Sequence, residues 1–329
     1  MSIEVGSFDP HTAPESDLRE YHRIRVAEGD PDDLDYERLV TRMRHPMPGL
    51  GPAEFRLVRV AGEVVGVVYT RYPEAPNDHM ALCEVVVHPD HRRRGIGTQV
   101  LRTLLPDFRA RGRRTVEAWL VVEDSPGDRW AKWLGFRTAR SIARLGLDFA
   151  DADRSLWHVD PPAGYELVRW TGTTPDDLVE STARARGAIH DAPTGDTEFR
   201  EPEWTAQRVR ETEAEYRDGG VEQRVVAAVR DGEVVGLTEV IRLPSRPDRF
   251  YQGYTAVLGA HRGRRIGLWL KGDMLRWLAE DPTAARITTA TESENHHMIR
   301  VNRELGWHDL PTDLVLAHDV AALAERLGG

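Results

Sequence analysis

The stretch Val85-Val86-Val87-His88-Pro89-Asp90-His91-Arg92-Arg93-Arg94-Gly95-Ile96-Gly97-Thr98 decides the fold of this chain. The valine run reads as the end of a strand that Pro89 stops. Beyond the glycines, Val100, Leu101, Leu104, Leu105 and Phe108 recur at helical spacing, and Pro106 is expected to bend or end that helix early. A strand that turns through arginines and glycines into a helix presents N–H groups without intrahelical partners at the positive end of the helix dipole, a cradle for phosphate. Gly95 and Gly97 allow positive φ and close approach of a ligand, and Arg92, Arg93 and Arg94 add charge. No Gly-Lys-Ser/Thr follows, so this is not a Walker loop. Val100 stands where a dinucleotide fingerprint needs its third glycine.

The same stretch occurs twice. His91–Gly97 (HRRRGIG) returns as His261–Gly267 (HRGRRIG), and Ala61-Gly62-Glu63-Val64-Val65-Gly66 returns as Asp231-Gly232-Glu233-Val234-Val235-Gly236, both 170 positions later. Leu134-Gly135-Phe136 matches Leu305-Gly306-Trp307 at 171, whereas Pro14-x-x-Asp17-Leu18 matches Thr174-x-x-Asp177-Leu178 at 160. The second copy therefore carries about ten extra residues between Arg186 and Arg224. A repeat this long means duplicated domains. In each copy a short strand and two helices precede a hairpin, a third central strand, the glycine turn with its helix, another strand, a short helix and a closing strand. The boundaries expected are 1–150 and 165–329, joined by a linker at 151–164 that contains Pro161-Pro162-Ala163-Gly164.

Composition agrees with that division. At roughly 150 residues per domain, 329 residues make about two domains, and 40% hydrophobic residues supply a core for each. No apolar run approaches the ~18 residues of a bilayer span, and the amino terminus lacks the blocks of a secretory signal. Cys83, the single cysteine, forms no internal disulfide, which points to a reducing, cytoplasmic setting. A net charge of −10 argues against a nucleic-acid partner. Only two of the 44 basic residues are lysines, Lys132 and Lys271, a bias expected of a GC-rich genome. The thirteen histidines form no metal-ligand spacing.

Arg92-Arg93-Arg94-Gly95-Ile96-Gly97, preceded by Val85-x-Val87-x-Pro89 and followed by Leu134-Gly135-Phe136, resembles the acyl-CoA signature Arg/Gln-x-x-Gly-x-Gly/Ala of the GNAT superfamily of N-acetyltransferases. The resemblance covers nearly the whole chain as two tandem copies, similar in architecture to the mycothiol synthase type. It implies an α/β fold (an α+β mixed sheet) used twice, acetyl-CoA as the donor and a small-molecule amine as the acceptor. Val85, Val86 and Val87 would then run beside the pantetheine arm, and the backbone from Arg93 through Thr98, including Ile96, would hold the pyrophosphate. In the second copy Val257 and the run Arg262, Gly263, Arg264, Arg265, Ile266, Gly267, Leu268 take these roles, with Asn295 near the pantetheine or the thiol end. Arg265 departs from the pattern, standing where the first copy has Gly95.

Amine acetylation needs a proton acceptor and a polarised thioester. Glu84, directly before Val85, is the base candidate of the first copy; Tyr254 holds that position in the second, where Glu239, Glu292 and Glu294 are the nearby carboxylates. The family's acid is a tyrosine four residues before the glycine of Leu-Gly-Phe, and here those positions are Ala131 and Asn302. An acid then comes from elsewhere, such as Tyr254 or water, or the CoA thiolate leaves without one. The extra residues around Ile189–Asp196 bring Asp191, Asp196 and Glu198, which would either select a cationic amine in the second domain or form a capped turn before the helix near Trp204.

The leading expectation is direct acetyl transfer from acetyl-CoA to a primary amine of an antibiotic, amino sugar, amino acid or specialised metabolite, with one half non-catalytic. A protein acetyltransferase and a non-catalytic acyl-CoA sensor are the alternatives. A monomer with an internal pseudo-dimer is expected, with a homodimer as the other state.

Overall fold

A computed structural model describes residues 2–29, 35–46, 49–191, 195–201 and 203–328. The chain divides into two compact units, and neither is continuous in sequence. The first comprises Met1–Arg140, Asp196–Arg200 and Asp313–Gly329; the second comprises Ser141–Gly195 and Glu201–Thr312.

The first unit holds β1 (Ile3–Phe8), α1 (Glu15–Glu28), α2 (Tyr36–Arg44), β2 (Ala53–Val60), β3 (Glu63–Arg71), β4 (Met80–Val87), α3 (Ile96–Ala110), β5 (Thr115–Val122) and α4 (Pro126–Trp133). Strand β6 (Arg137–Asp148) begins there but gives its pairing residues to the second unit. The second unit continues with β7 (Glu166–Thr171), α5 (Val179–Gly187), α6 (Ala206–Asp218), β8 (Glu222–Arg230), β9 (Glu233–Arg242), β10 (Arg249–Val257), α7 (Ile266–Leu278), β11 (Arg286–Glu292) and α8 (His296–Glu304). Finally β12 (His308–Asp319) returns from Asp313 onward to the first unit, followed there by α9 (Val320–Arg326). The sequence alone reads as a short closing strand at Asp313–Ala317 and a helix at Asp32–Arg44; that strand is part of a longer one, and the start of that helix lies outside the described residues.

Each unit's sheet is antiparallel except at one pair. In the first, β1, β2, β3 and β4 pair in order, β4 and β5 run parallel, and β12 lies antiparallel to β5. In the second, β7, β8, β9 and β10 pair in order, β10 and β11 run parallel, and β6 lies antiparallel to β11. The closing strand of each unit therefore comes from the other half of the sequence. The edges of the units do not coincide with cuts at 150 and 165, because β5 and β11 each accept the strand their own half does not supply. The segment between the halves is also fixed: Trp157 is fully buried and donates its indole N–H to the Leu305 carbonyl at 3.2 Å.

Alternation along the strands explains the layers. Val58, Val65, Val68 and Cys83 face α3, α4 and α9, whereas Leu57, Val64, Val67 and Val86 face α1 and α2. Helix α3 continues through Pro106 rather than stopping there. Leu101, Leu104, Leu105 and Phe108 bury against the sheet on both sides of the proline, and that apolar contact outweighs one missing N–H bond. Both hairpins turn through two residues of positive φ, Ala61-Gly62 and Asp231-Gly232, the backbone of a tight right-twisted turn.

Candidate active site

In the first unit β4 and β5 pair only at Met80–Leu82 with Thr115–Glu117, after which no β4–β5 pairing continues. Beside this gap lies a cavity of about 800 Å³ lined by Val85, Val86, Val87, Arg92, Arg93, Gly95, Ile96, Gly97 and Thr98. Of the first-copy residues expected at the cofactor, Arg94 alone is not part of the lining; its guanidinium turns back to the Asp90 carbonyl at 2.9 Å. The opposite wall is α4, through Pro126, Gly127, Arg129, Trp130 and Trp133.

The turn is built for an anion by its backbone. Gly95 has φ +77° and caps α3 without a side-chain bond. The N–H of Gln99 is the first to bond back, to Gly95 O at 3.0 Å, so those of Ile96, Gly97 and Thr98 lack intrahelical partners. A Cβ at Gly97 would lie 3.1 Å from Trp130, whose indole N–H reaches Thr98 Oγ1 at 3.3 Å. Arg92 is committed to structure: its Nε donates to the Val87 carbonyl at 2.9 Å and its other end pairs with Glu28. Among the described residues Arg93 has no such partner, and it lines the cavity.

The second copy keeps this scaffold but fills it differently. Arg262 Nε donates to the Val257 carbonyl at 2.9 Å, as Arg92 does to Val87, and its terminal Nη2 donates to Asp191 Oδ2 at 2.6 Å. The N–H of Trp269 bonds to Arg265 O at 3.0 Å, freeing those of Ile266, Gly267 and Leu268. Arg265 adopts φ +60° where the first copy has Gly95, and its guanidinium pairs with Glu304 on α8 at 2.5 Å. Gly263 and Arg93 show the reverse exchange at positive φ. Arg264 turns to the Ala260 carbonyl. Asn295 caps α8, accepting from Met298 N and donating to Thr291 Oγ1.

Glu84 lies on β4 where pairing with β5 has ended, opposite Tyr69 on β3. Its side chain is 44% exposed and takes a 2.5 Å contact from Arg25 of α1. The Tyr69 hydroxyl accepts from Arg71 at 3.1 Å. Glu239 and Tyr254, 170 positions on from Tyr69 and Glu84, have traded places between adjacent strands. Here Arg186 of α5 meets Glu239 at 2.6 Å, with both side chains at most 4% exposed. Gln223 also donates to Glu239, at 3.0 Å. Trp204 lies under the Arg186 guanidinium, 4.7 Å from its carbon, and edge-on to Tyr254. Tyr254 donates to Glu201 at 2.9 Å; burial first, then the carboxylates of Glu201 and Glu239, push its hydroxyl well above the ordinary tyrosine range. Glu292 is buried at the end of β11.

At the position of the expected acid, Ala131 is core, and Asn302 is fully buried with neither amide atom bonded among the described residues. Cys83 is buried, and burial pushes its thiol up to about 12, consistent with a structural residue. The acidic residues of the insertion do not gather in the second unit. Asp196 and Glu198 belong to the first, where Glu198 accepts from Thr115 at 3.0 Å. No group of three metal-ligating side chains occurs among the described residues, and no described helix is long and apolar enough to cross a membrane.

Arg25 and Tyr69 entered the site unannounced, whereas Trp130 and Trp133 line the cavity from a helix beside it, as the sequence leads one to expect. Arg25 carried a signal in the shared Arg-x-Arg of α1 and α5, Arg23/Arg25 and Arg184/Arg186.

Known proteins share this arrangement. The profile of the Acetyltransferase (GNAT) family matches residues 16–136 and 189–307, well over half of the chain. A mycothiol acetyltransferase of Clavibacter michiganensis is 33% identical over 136 residues, 41% of this chain and 42% of the relative; one of Clavibacter sepedonicus is 34% identical over 102 residues, 31% and 33%. The chain thus aligns with less than half the length of these curated relatives. Among solved structures, a tandem GNAT protein from the clavulanic acid biosynthesis pathway superposes with a TM-score of 0.78 at 24% identity, covering 97% of this chain and 99% of the other. A GCN5-related N-acetyltransferase from Sphaerobacter thermophilus gives 0.71 at 18%, covering 97% and 96%. With the profile matched once in each half, the chain belongs to the GNAT acetyltransferase family and holds that family's domain in two tandem copies.

Proposed function

We propose that the first unit carries the reaction, transferring the acetyl group of acetyl-CoA to the primary amine of a small molecule, and that the second unit is non-catalytic. The observation that carries this reading is the contrast between the two carboxylates: Glu84 stands half-exposed directly before Val85 of the cavity lining, whereas Glu239 is enclosed by Arg186 and Gln223. A proton acceptor must be reachable by the amine, and only the first meets that condition.

The donor's thioester supplies the acyl group. The N–H groups of Ile96, Gly97 and Thr98 hold the pyrophosphate, with Arg93 for charge, and the edge of β4 at Val85–Val87 takes the pantetheine as an added strand. Arg25 orients the Glu84 carboxylate toward the gap, where it accepts the proton that the amine loses on attacking the carbonyl. The C–N bond forms as the C–S bond breaks, and the thiolate leaves with its charge.

A panel of amines read as release of free CoA tests this, repeated with Glu84→Gln and Glu239→Gln. Loss of turnover in Glu84→Gln alone supports the first unit as the active one. Unchanged rates in that variant, or loss confined to Glu239→Gln, would refute it. Acetyl-CoA binding with no turnover across the panel would favour a sensor instead.

A further inference from the structure

The insertion of the second copy leaves the segment Asp196–Arg200 in the first unit. It is fixed there at several points. Thr197 Oγ1 donates to Glu117 Oε1 at 2.9 Å, and Asn77 makes two bonds to the Arg200 backbone, accepting from its N–H at 2.7 Å and donating to its carbonyl at 2.9 Å. Phe199 meets Trp119 edge-on, ring centres 5.2 Å apart. Glu117 is wholly buried, its second oxygen accepting from the Trp119 indole at 2.7 Å.

The strand register says which face this is. Leu82 and Glu117 are partners, so Glu84 and Trp119, two residues further along each strand, project to the same face where β4 and β5 no longer pair. Helices α1 and α2 cover that face over β2, β3 and β4, while Trp119 packs on Ala139, Val315 and Ala317. The gap is thereby bounded by Arg25 and Glu84 on one side and by Trp119 and Phe199 on the other.

Resting on the reading of the first unit as the catalytic one, we infer that Asp196–Arg200 is the wall of its acceptor site, and that the acceptor is a primary amine with an apolar, preferably aromatic, body. The ammonium faces Glu84 while the carbon skeleton lies against the partly exposed edge of Trp119 and Phe199. The extra residues of the second copy then determine the specificity of the first.

Calorimetric titration of the full chain with phenethylamine, spermidine and glucosamine, with and without acetyl-CoA, tests this. Phenethylamine is expected to bind more tightly than the two polar amines. Phe199→Ala should weaken it about tenfold, the order of one aromatic contact with its buried area. Phe199→Leu should restore part of the loss, and both variants should bind acetyl-CoA as the parent does, which also shows that they fold. Equal binding of the polar amines, no amine binding, or indifference to Phe199→Ala would overturn the inference while leaving acetyl-CoA binding and CoA release to judge the catalytic reading separately.

Discussion

The Arg186 guanidinium and the Glu239 carboxylate meet at 2.6 Å with both side chains all but sealed from solvent, whereas Arg25 and Glu84 make the same contact from α1 to β4 with the arginine buried and the carboxylate half-exposed. The carboxylate has moved one strand over, and the arginine has followed it. Gly253 makes the move feasible: a Cβ there would lie 3.2 Å from Glu239 Cγ, and the matching residue of the first copy is Cys83. Breaking a buried pair leaves an uncompensated charge, at a cost of about 3–5 kcal/mol. Arg186→Met should therefore lower the urea midpoint strongly without altering acetyl-CoA affinity, and Arg186→Met with Glu239→Leu should recover much of the loss.

Glu84→Gln keeps the size and the acceptor oxygen but removes the base. Turnover with an amine acceptor should fall about a hundredfold or more while the acetyl-CoA dissociation constant holds. Steady-state kinetics beside calorimetry separates the two.

Gly95→Arg installs in the first copy the residue found at the matching position of the second. The left-handed backbone at φ +77° makes any non-glycine residue cost about 1 kcal/mol there, and a guanidinium now stands over the phosphate cradle. The expectation is weaker acetyl-CoA binding with a small drop in melting temperature. An unchanged dissociation constant would show that the pyrophosphate does not use this turn.

Lys271 lies fully buried on α7, donating to Gln252 Oε1 at 3.1 Å, and burial pushes its ammonium down to about 7. Between that pH and the ordinary lysine range the unfolded chain holds a proton that the folded chain has released, so stability rises with pH across the window. Below it both states are charged and the folded one carries the desolvation cost. Denaturant titrations at neutral and alkaline pH should show this slope, and Lys271→Met should flatten it and raise stability at neutral pH.

Ending the chain at Thr312 removes the antiparallel partner of β5 and all of α9. Leu314, Leu316, Val320, Leu323 and Leu327 leave the core shared with α3. The first unit should lose cooperative unfolding and bind no acetyl-CoA, as read by calorimetry. A truncated chain that still binds would mean that strand is dispensable.

The glycine turn, the hairpins and the order of elements were legible because they depend on local patterns: glycines at positive φ, alternating valines, helical spacing after Thr98. The repeat doubled that signal. What sequence could not show was long-range. Nothing in Asp313–Ala317 or Ser141–Phe149 says which β-strand each will join, because an alternating strand pairs with any edge of matching register. Asp196 and Glu198 were read as part of the second copy for the same reason. Glu84 was singled out from its place before Val85, but its partner Arg25 lies 59 positions earlier, and only folding reveals that contact.

The exchange of closing strands also has a consequence for inheritance. A duplicated gene ordinarily frees one copy to decay and be discarded. Here a deletion that removed the second half would also take β12 and α9 from the first, and one that removed the first would take β6 from the second. On the proposed reading the second copy has given up its chemistry, and selection still holds it because it supplies β12 and α9 to the core of its neighbour.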